Sequence, residues 1–158
     1  IDESLDMIMN GKAAMVIPYD QTVLFLSEEQ TVASLRADSI LEHLQLHSAS
    51  YRRWLGRPSC GGLFFVNREV YLKCGGENEH FYGWGPEDAE RVRRMEILGY
   101  PVGVNTEGPL YHLWHPRGDN SRFFNRQLAS NSRLELIRIC NLDTKELTDD
   151  VASWRNRK

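Results

Sequence analysis

The sequence predicts an α/β domain, and three observations carry that expectation. Helical and extended patterns alternate along the chain. No hairpin signal joins neighbouring extended runs. Apolar residues make up 41% of 158 positions, enough to bury a core. No internal repeat, low-complexity tract or Pro/Gly/Ser linker divides the chain, so it reads as a single domain.

The elements follow in order. Asp2–Met9 has the pattern of a short helix with Leu5, Ile8 and Met9 on one side. Ala13–Tyr19 is an apolar run of the kind a buried strand shows, with Pro18 marking its end. Ser27 as N-cap and Gln30 three residues on form a capping box, opening a helical stretch that runs, with a break, to about Leu46. His47–Ser59 is polar and basic, holds no period, and reads as a loop. Gly62–Asn67 reads as a strand and Arg68–Cys74 as a short helix that Gly75 and Gly76 stop. Pro86–Leu98 is the clearest helix, with Pro at its start, acids in its first turn and Gly99 as terminator. Two short strands, Val102–Asn105 and Leu110–Leu113, precede helices over Arg122–Cys140 and from Asp143 towards Trp154.

Composition narrows the function classes. Nineteen basic against 22 acidic residues leave a formal charge of -3, which removes the simplest electrostatic case for binding nucleic acid. No window approaches the roughly 18 apolar residues of a membrane span, and Ile1–Gly11 is too polar and acidic for a signal peptide. Cys60, Cys74 and Cys140 are odd in number and lack CxxC spacing, so free buried thiols in a reducing compartment are expected. With no N-x-[ST] site to suggest passage through a secretory pathway, the reading is a cytoplasmic protein. Oligomeric state is left open. The chain has no initiator Met and opens as if within an element, so it reads as an excised domain.

The densest chemistry lies in Phe81-Tyr82-Gly83-Trp84-Gly85-Pro86-Glu87-Asp88. Small residues beside an indole let a ligand reach the backbone while the ring gives a flat apolar wall, which suits the C–H face of a sugar. At about 100° per residue Asp88 shares a stripe with Val92 and Met95. Glu87 and Glu90 point elsewhere, with Arg91 and Arg94 at i+4, and Glu90 reads as part of a solvated, salt-bridged face. Asp88 is either a first-turn acid favoured by the helix dipole or a carboxylate facing a cleft. Downstream, Leu110-Tyr111-His112-Leu113-Trp114-His115-Pro116 holds two histidines three apart. Within a strand they would face opposite sides, so they share a metal only where the strand ends.

Three segments in order, Gly61-Gly62-Leu63-Phe64-Phe65-Val66-Asn67-Arg68-Glu69, Gly83-Trp84-Gly85-Pro86-Glu87-Asp88-x-Glu90 and His112-x-x-His115, resemble the C-terminal half of a metal-dependent glycosyltransferase. The type is that of β-1,4-galactosyltransferases and chondroitin polymerases, and the likeness covers roughly residues 13–120. It implies half of a GT-A-like fold with short strands, flanking helices and a C-terminal helical tail over residues 121–158. It implies Asp88 as the general base, with Glu87 orienting the sugars and Trp84 packing on them. Gly61 and Gly62 would lie beside the donor sugar, with Tyr82 and Gly85 completing the substrate-binding set. His112 and His115 would bind Mn²⁺ or another divalent cation.

The implied reaction is inverting transfer from a nucleotide-sugar, a UDP-sugar by expectation, to a glycan acceptor in polysaccharide assembly. The final helices are similar to the tails of bacterial polysaccharide-assembly transferases, which implies a bacterial protein working at the inner membrane face. The implied lid is the loop from Leu113 to about Phe123. Pro86 replaces the second glycine of the family's WGGED segment. The family's DxD motif is absent, and the resemblance places it, with the nucleotide-binding half, upstream of Ile1. A non-catalytic carbohydrate- or protein-binding module is the alternative reading. A metallohydrolase built on His112, His115 and Asp88 is a more distant one.

Overall fold

The computed structural model describes residues 1–118 and 125–155. The elements are α1 (Asp2–Met9), β1 (Met15–Ile17), β2 (Val23–Phe25), α2 (Glu28–Leu35), α3 (Ile40–Leu46), β3 (Arg52–Arg53), β4 (Phe65–Val66), α4 (Arg68–Lys73), α5 (Glu87–Ile97), β5 (Val102–Val104), β6 (Leu110–His112), α6 (Arg126–Cys140) and α7 (Thr144–Arg155). The mixed α/β class expected from the alternation is therefore present.

The strands form two small mixed sheets. In one, β1 lies between antiparallel β4 and parallel β5, with Met15 opposite both Val66 and Val102. In the other, β2 lies between antiparallel β3 and parallel β6. Strand β1 is buried at every position, which is why its segment reads as an unbroken apolar run. Strands β2 and β3 went unread in the sequence. Three residues of Val-Leu-Phe and two arginines carry too little period to register.

Local signals account for the helix starts. Ser27 Oγ accepts from Gln30 N–H, and the Gln30 side chain accepts from Ser27 N–H at 2.8 Å, completing the capping box. Asn67 Oδ1 caps α4 by accepting from Glu69 and Val70 N–H. Gly75 and Gly76, at φ 93° and 71°, end it in a conformation that side-chain-bearing residues rarely adopt.

Three expectations are corrected. Helix α1 rests on the first sheet through buried Ser4 and half-buried Met7 and Ile8, leaving Leu5 and Met9 exposed. Ser4 allows the close approach because it is small, and a Cβ on Gly103 would meet Met7 Cε at 2.5 Å. Glu90 is not on a solvated face. It is 1% exposed and paired with fully buried Arg94, Nε to Oε1 at 2.8 Å. That guanidinium also donates to the carbonyls of Cys74 and Gly76 and lies 5.2 Å from the Trp154 ring, so the turn after α4 and helix α7 cover a face the sequence left open. The thiols are all free, but only Cys74 is buried and Cys140 is exposed. The start expected for α6 at Arg122 falls outside the described residues.

Glu135 on α6 ties the helical tail to the body. It accepts from Arg138 twice at 2.8 Å and from Asn78 Nδ2 at 2.8 Å, and it faces His80 Nδ1 at 3.2 Å. Arg138 also reaches Asp150 on α7. The Arg138 hydrogen bonds, helped by Asn78 and His80, hold the Glu135 carboxyl down at about 2. A depressed carboxylate contributes stability that is present above its unfolded value and lost as pH falls through its folded one. Denaturant titrations should therefore show a loss of about 2 kcal/mol from this group between pH 5 and pH 2. The loss should be missing in Glu135→Gln; an unchanged acid profile in that variant would refute the assignment.

Candidate functional site

The site begins with strand register. Parallel pairing of β2 and β6 sets Phe25 opposite His112, and the two rings stack 4.2 Å apart with planes within 7°. Trp54, whose N–H donates to Val23 O at 2.9 Å, stacks on Phe25 as well at 4.7 Å. His112 is the last residue of β6, and beyond it the chain is drawn towards α2 by Trp114 N–H donating to Thr31 Oγ1 at 2.8 Å. The alternation of a strand thus ceases to apply, and the His115 ring comes within 5.3 Å of the His112 ring.

Helix α5 supplies the acids. Pro86 stands at its N-cap position, one residue earlier than the sequence implied, and Glu87 and Asp88 open the first turn. Asp88 lies so close to Gly61 that a Cβ at position 61 would overlap its Oδ2. Gly61 is itself held by Tyr19, whose hydroxyl donates to Gly61 O at 2.5 Å. Burial pushes the Tyr19 hydroxyl up. It raises the Cys60 thiol too, with the charge of Asp88 adding to the effect. A Cβ on Gly85 would meet Glu87 Oε2 at 3.3 Å and Ser132 of α6 at 3.4 Å.

These parts face one cleft of about 640 Å³, lined by Gly61, Gly62, Trp84, Gly85, Glu87, Asp88, His112 and His115. Eight of the nine sequence-predicted site residues therefore meet. Tyr82, 64% exposed, lies outside the lining. Phe25, Trp54, Arg57, Arg117 and Arg133 line the cleft too and were not singled out in the sequence. Charge was the available signal for the three arginines, but they lie on three segments distant in sequence. Of the expected lid, residues 119–123 are outside the described residues.

The two acids differ electrostatically. Asp88 Oδ1 accepts from Arg91 Nη1 at 2.7 Å. Glu87 Oε2 is buried with no hydrogen-bond partner, and burial, with Asp88 beside it, raises the Glu87 carboxyl above its usual value. For a raised carboxyl the stabilising contribution is present below the unfolded value and lost as pH rises through the folded one. Ionised Glu87 is thus a liability at neutral pH. Glu87→Gln should raise Tm by about 2–4 °C at pH 7, with the gain vanishing near pH 4. A lower Tm at pH 7 would show that the charge is compensated after all.

His112 Nδ1 is also buried and without a hydrogen-bond partner, as suits a nitrogen kept for a ligand. The two imidazoles fit two positions of a divalent-cation site. Among the described residues no group of three or more His, Cys, Asp or Glu stands ready to hold an ion. Also among them, no helix is long and apolar enough to cross a membrane.

Residues 42–116 match the model of a family described as the N-terminal domain of galactosyltransferase. Human and mouse beta-1,4-galactosyltransferase 7 are each 34% identical over 61 residues, covering 35% of this chain and 19% of the relative. The Drosophila melanogaster protein of the same name is 27% identical over 96 residues, covering 55% of this chain and 30% of the relative. The chain thus spans between about a fifth and a third of the length of these curated relatives. No solved structure matches it.

Proposed function

We propose, for a chain that carries a galactosyltransferase-type region over residues 42–116, that it is the acceptor-side half of an inverting glycosyltransferase of GT-A-like fold. The observation that carries this reading is the single cleft joining the Gly61–Gly62 backbone, the Trp84 wall, the Glu87–Asp88 pair and the two histidines. The family description names an N-terminal domain, so placement in the C-terminal half of a longer parent belongs to the proposal.

In this reading an acceptor sugar lies against Trp84, its apolar face on the indole and its hydroxyls towards the acids. Asp88 takes the proton of the attacking hydroxyl. The acceptor oxygen bonds to the donor anomeric carbon as the bond to the nucleoside diphosphate breaks, and the diphosphate leaves with that electron pair. Glu87, raised by burial and with its Oε2 unpartnered, serves as a hydrogen-bonding group that orients the sugars. Gly61 and Gly62 present bare backbone to the donor sugar, and their missing side chains make room for Asp88 and Leu110. His112 and His115 would hold the divalent cation, manganese by family likeness. When bound it supplies charge neutralisation at the departing diphosphate. The remaining ligands and the nucleotide site would come from upstream residues. The cytoplasmic placement draws its support from the free thiols, and the named relatives, being animal proteins, lend none to a bacterial origin.

The test is a transfer assay on the full-length parent with UDP-sugars and glycan acceptors, the product anomer being read by NMR. Inversion is expected. A retained configuration, or no transfer from any nucleotide-sugar with an intact upstream half, would overturn the proposal, the latter in favour of a binding module.

A further inference from the structure

We infer that Arg91 is a positioning residue that fixes Asp88 as the working base of the cleft, leaving Glu87 to the hydrogen-bonding role. The inference rests on the reading of Asp88 as base and adds the device that separates two adjacent carboxylates.

Arg91 sits one turn beyond Asp88 on α5, its side chain only 6% exposed. Its Nη1 donates to Asp88 Oδ1 at 2.7 Å. Its Nε and Nη2 donate to Glu77 at 2.8 and 3.0 Å, a two-point fork. The guanidinium lies 4.3 Å from the Phe64 ring centroid. Glu77 is steadied in turn by Tyr71, whose hydroxyl donates to it at 2.6 Å. Burial opposes the Arg91 charge, but Glu77 and Asp88 more than offset it and hold the guanidinium above its ordinary value. A cation clamped from behind in this way cannot swing out to meet substrate. What it offers the cleft is one fixed hydrogen bond.

That bond settles the carboxylate's orientation. Oδ1 is engaged by Arg91, and Oδ2 is the oxygen pressed against Gly61, where the cleft lining runs. Oδ2 is therefore the oxygen left for an acceptor proton. Glu87 has no comparable clamp, since its Oε2 is buried without a hydrogen-bond partner. Sequence spacing pointed to the wrong pairing, Glu87 with Arg91 at i+4, whereas the structure pairs Arg91 with Asp88 at i+3. Lysine could not do this work, because one ammonium lacks the planar fork that serves Glu77 and Asp88 together.

The experiment compares Arg91→Gln, Arg91→Lys, Glu77→Gln and Asp88→Asn in the full-length parent, with steady-state kinetics and thermal melts. Misplacing a reacting group by about 1 Å costs about 100-fold. Arg91→Gln should therefore lose that much in kcat while donor KM stays within about twofold, and Arg91→Lys should recover less than a tenth of the loss. Glu77 is half exposed, so its variant should fold, and loosening Arg91 from behind should lower kcat about tenfold. Should Arg91→Gln fail to fold, Glu77→Gln decides alone. Wild-type kcat in folded Glu77→Gln, full recovery by lysine, or a matching rise in donor KM overturns the positioning role. These results do so while Asp88→Asn remains inactive. If Asp88→Asn itself turns over, the base assignment falls first and the positioning role falls with it.

Discussion

Asparagine at position 88 is expected to lower kcat of the full-length parent by about a thousandfold, the middle to upper part of what a positioned general base contributes. The substitution is nearly isosteric. Its amide oxygen can still accept from Arg91 Nη1, and its bulk still fits beside Gly61. What disappears is an oxygen able to take a proton at the cleft face. Donor binding, which the reading assigns to the Gly61–Gly62 backbone and the histidine side, should be unchanged, so KM for the nucleotide-sugar should move by less than about threefold. Rapid-quench turnover together with donor titration separates the two effects. Activity within tenfold of wild type would remove Asp88 as base. If Glu87→Gln were then inactive, the role would pass to its neighbour.

The second large effect concerns stability. Arg94→Met should destabilise the chain by about 3–5 kcal/mol, because removing one partner of a buried pair strands the other. Glu90, at 1% exposure, would be left buried without its partner. The carbonyls of Cys74 and Gly76 would lose their donor, and Trp154 its cation. A double variant, Glu90→Leu with Arg94→Met, distinguishes these contributions. Swapping a buried pair for apolar groups is often close to neutral, yet here the two carbonyls remain unsatisfied. The double variant should still fall short of wild type by about 1–2 kcal/mol. Urea unfolding measures both. A double variant as stable as wild type would show that the carbonyl contacts contribute nothing net.

How far these residues could be read from the sequence depended on the kind of signal. Helices with caps were legible: Ser27 with Gln30, and the acid-rich opening of α5, both fall within a residue of expectation. Strands of two or three residues were legible where they lie in a longer apolar run, as β1, β4, β5 and β6 do, whereas β2 and β3 escaped notice between turns. Helix wheels give angles between side chains but not which side is covered. That explains the misplacement of Glu90 and Arg94, whose cover is the turn after α4 and Trp154, the latter sixty residues downstream of Arg94. The same blindness put Leu5 and Met9 on the inner face of α1, where small Ser4 sits instead. At the site, the motif residues were legible because their chemistry is local: a glycine pair, an indole between glycines, two acids, two imidazoles. Phe25, Trp54 and Arg133 were not, since their places follow from sheet register and helix docking.

The contact between the Asp88 carboxyl and the Cα of residue 61 has an evolutionary corollary. The two positions form an epistatic pair: any side chain entering at 61, even a methyl, evicts the acid, whereas loss of the acid first would make 61 permissive. Saturation libraries selected for turnover should return glycine alone at 61. The same libraries built in an Asp88→Gly background and selected only for folding should return many residues, so that a lineage drifting from transferase to plain binder would leave its earliest trace at position 88 and its later ones at 61.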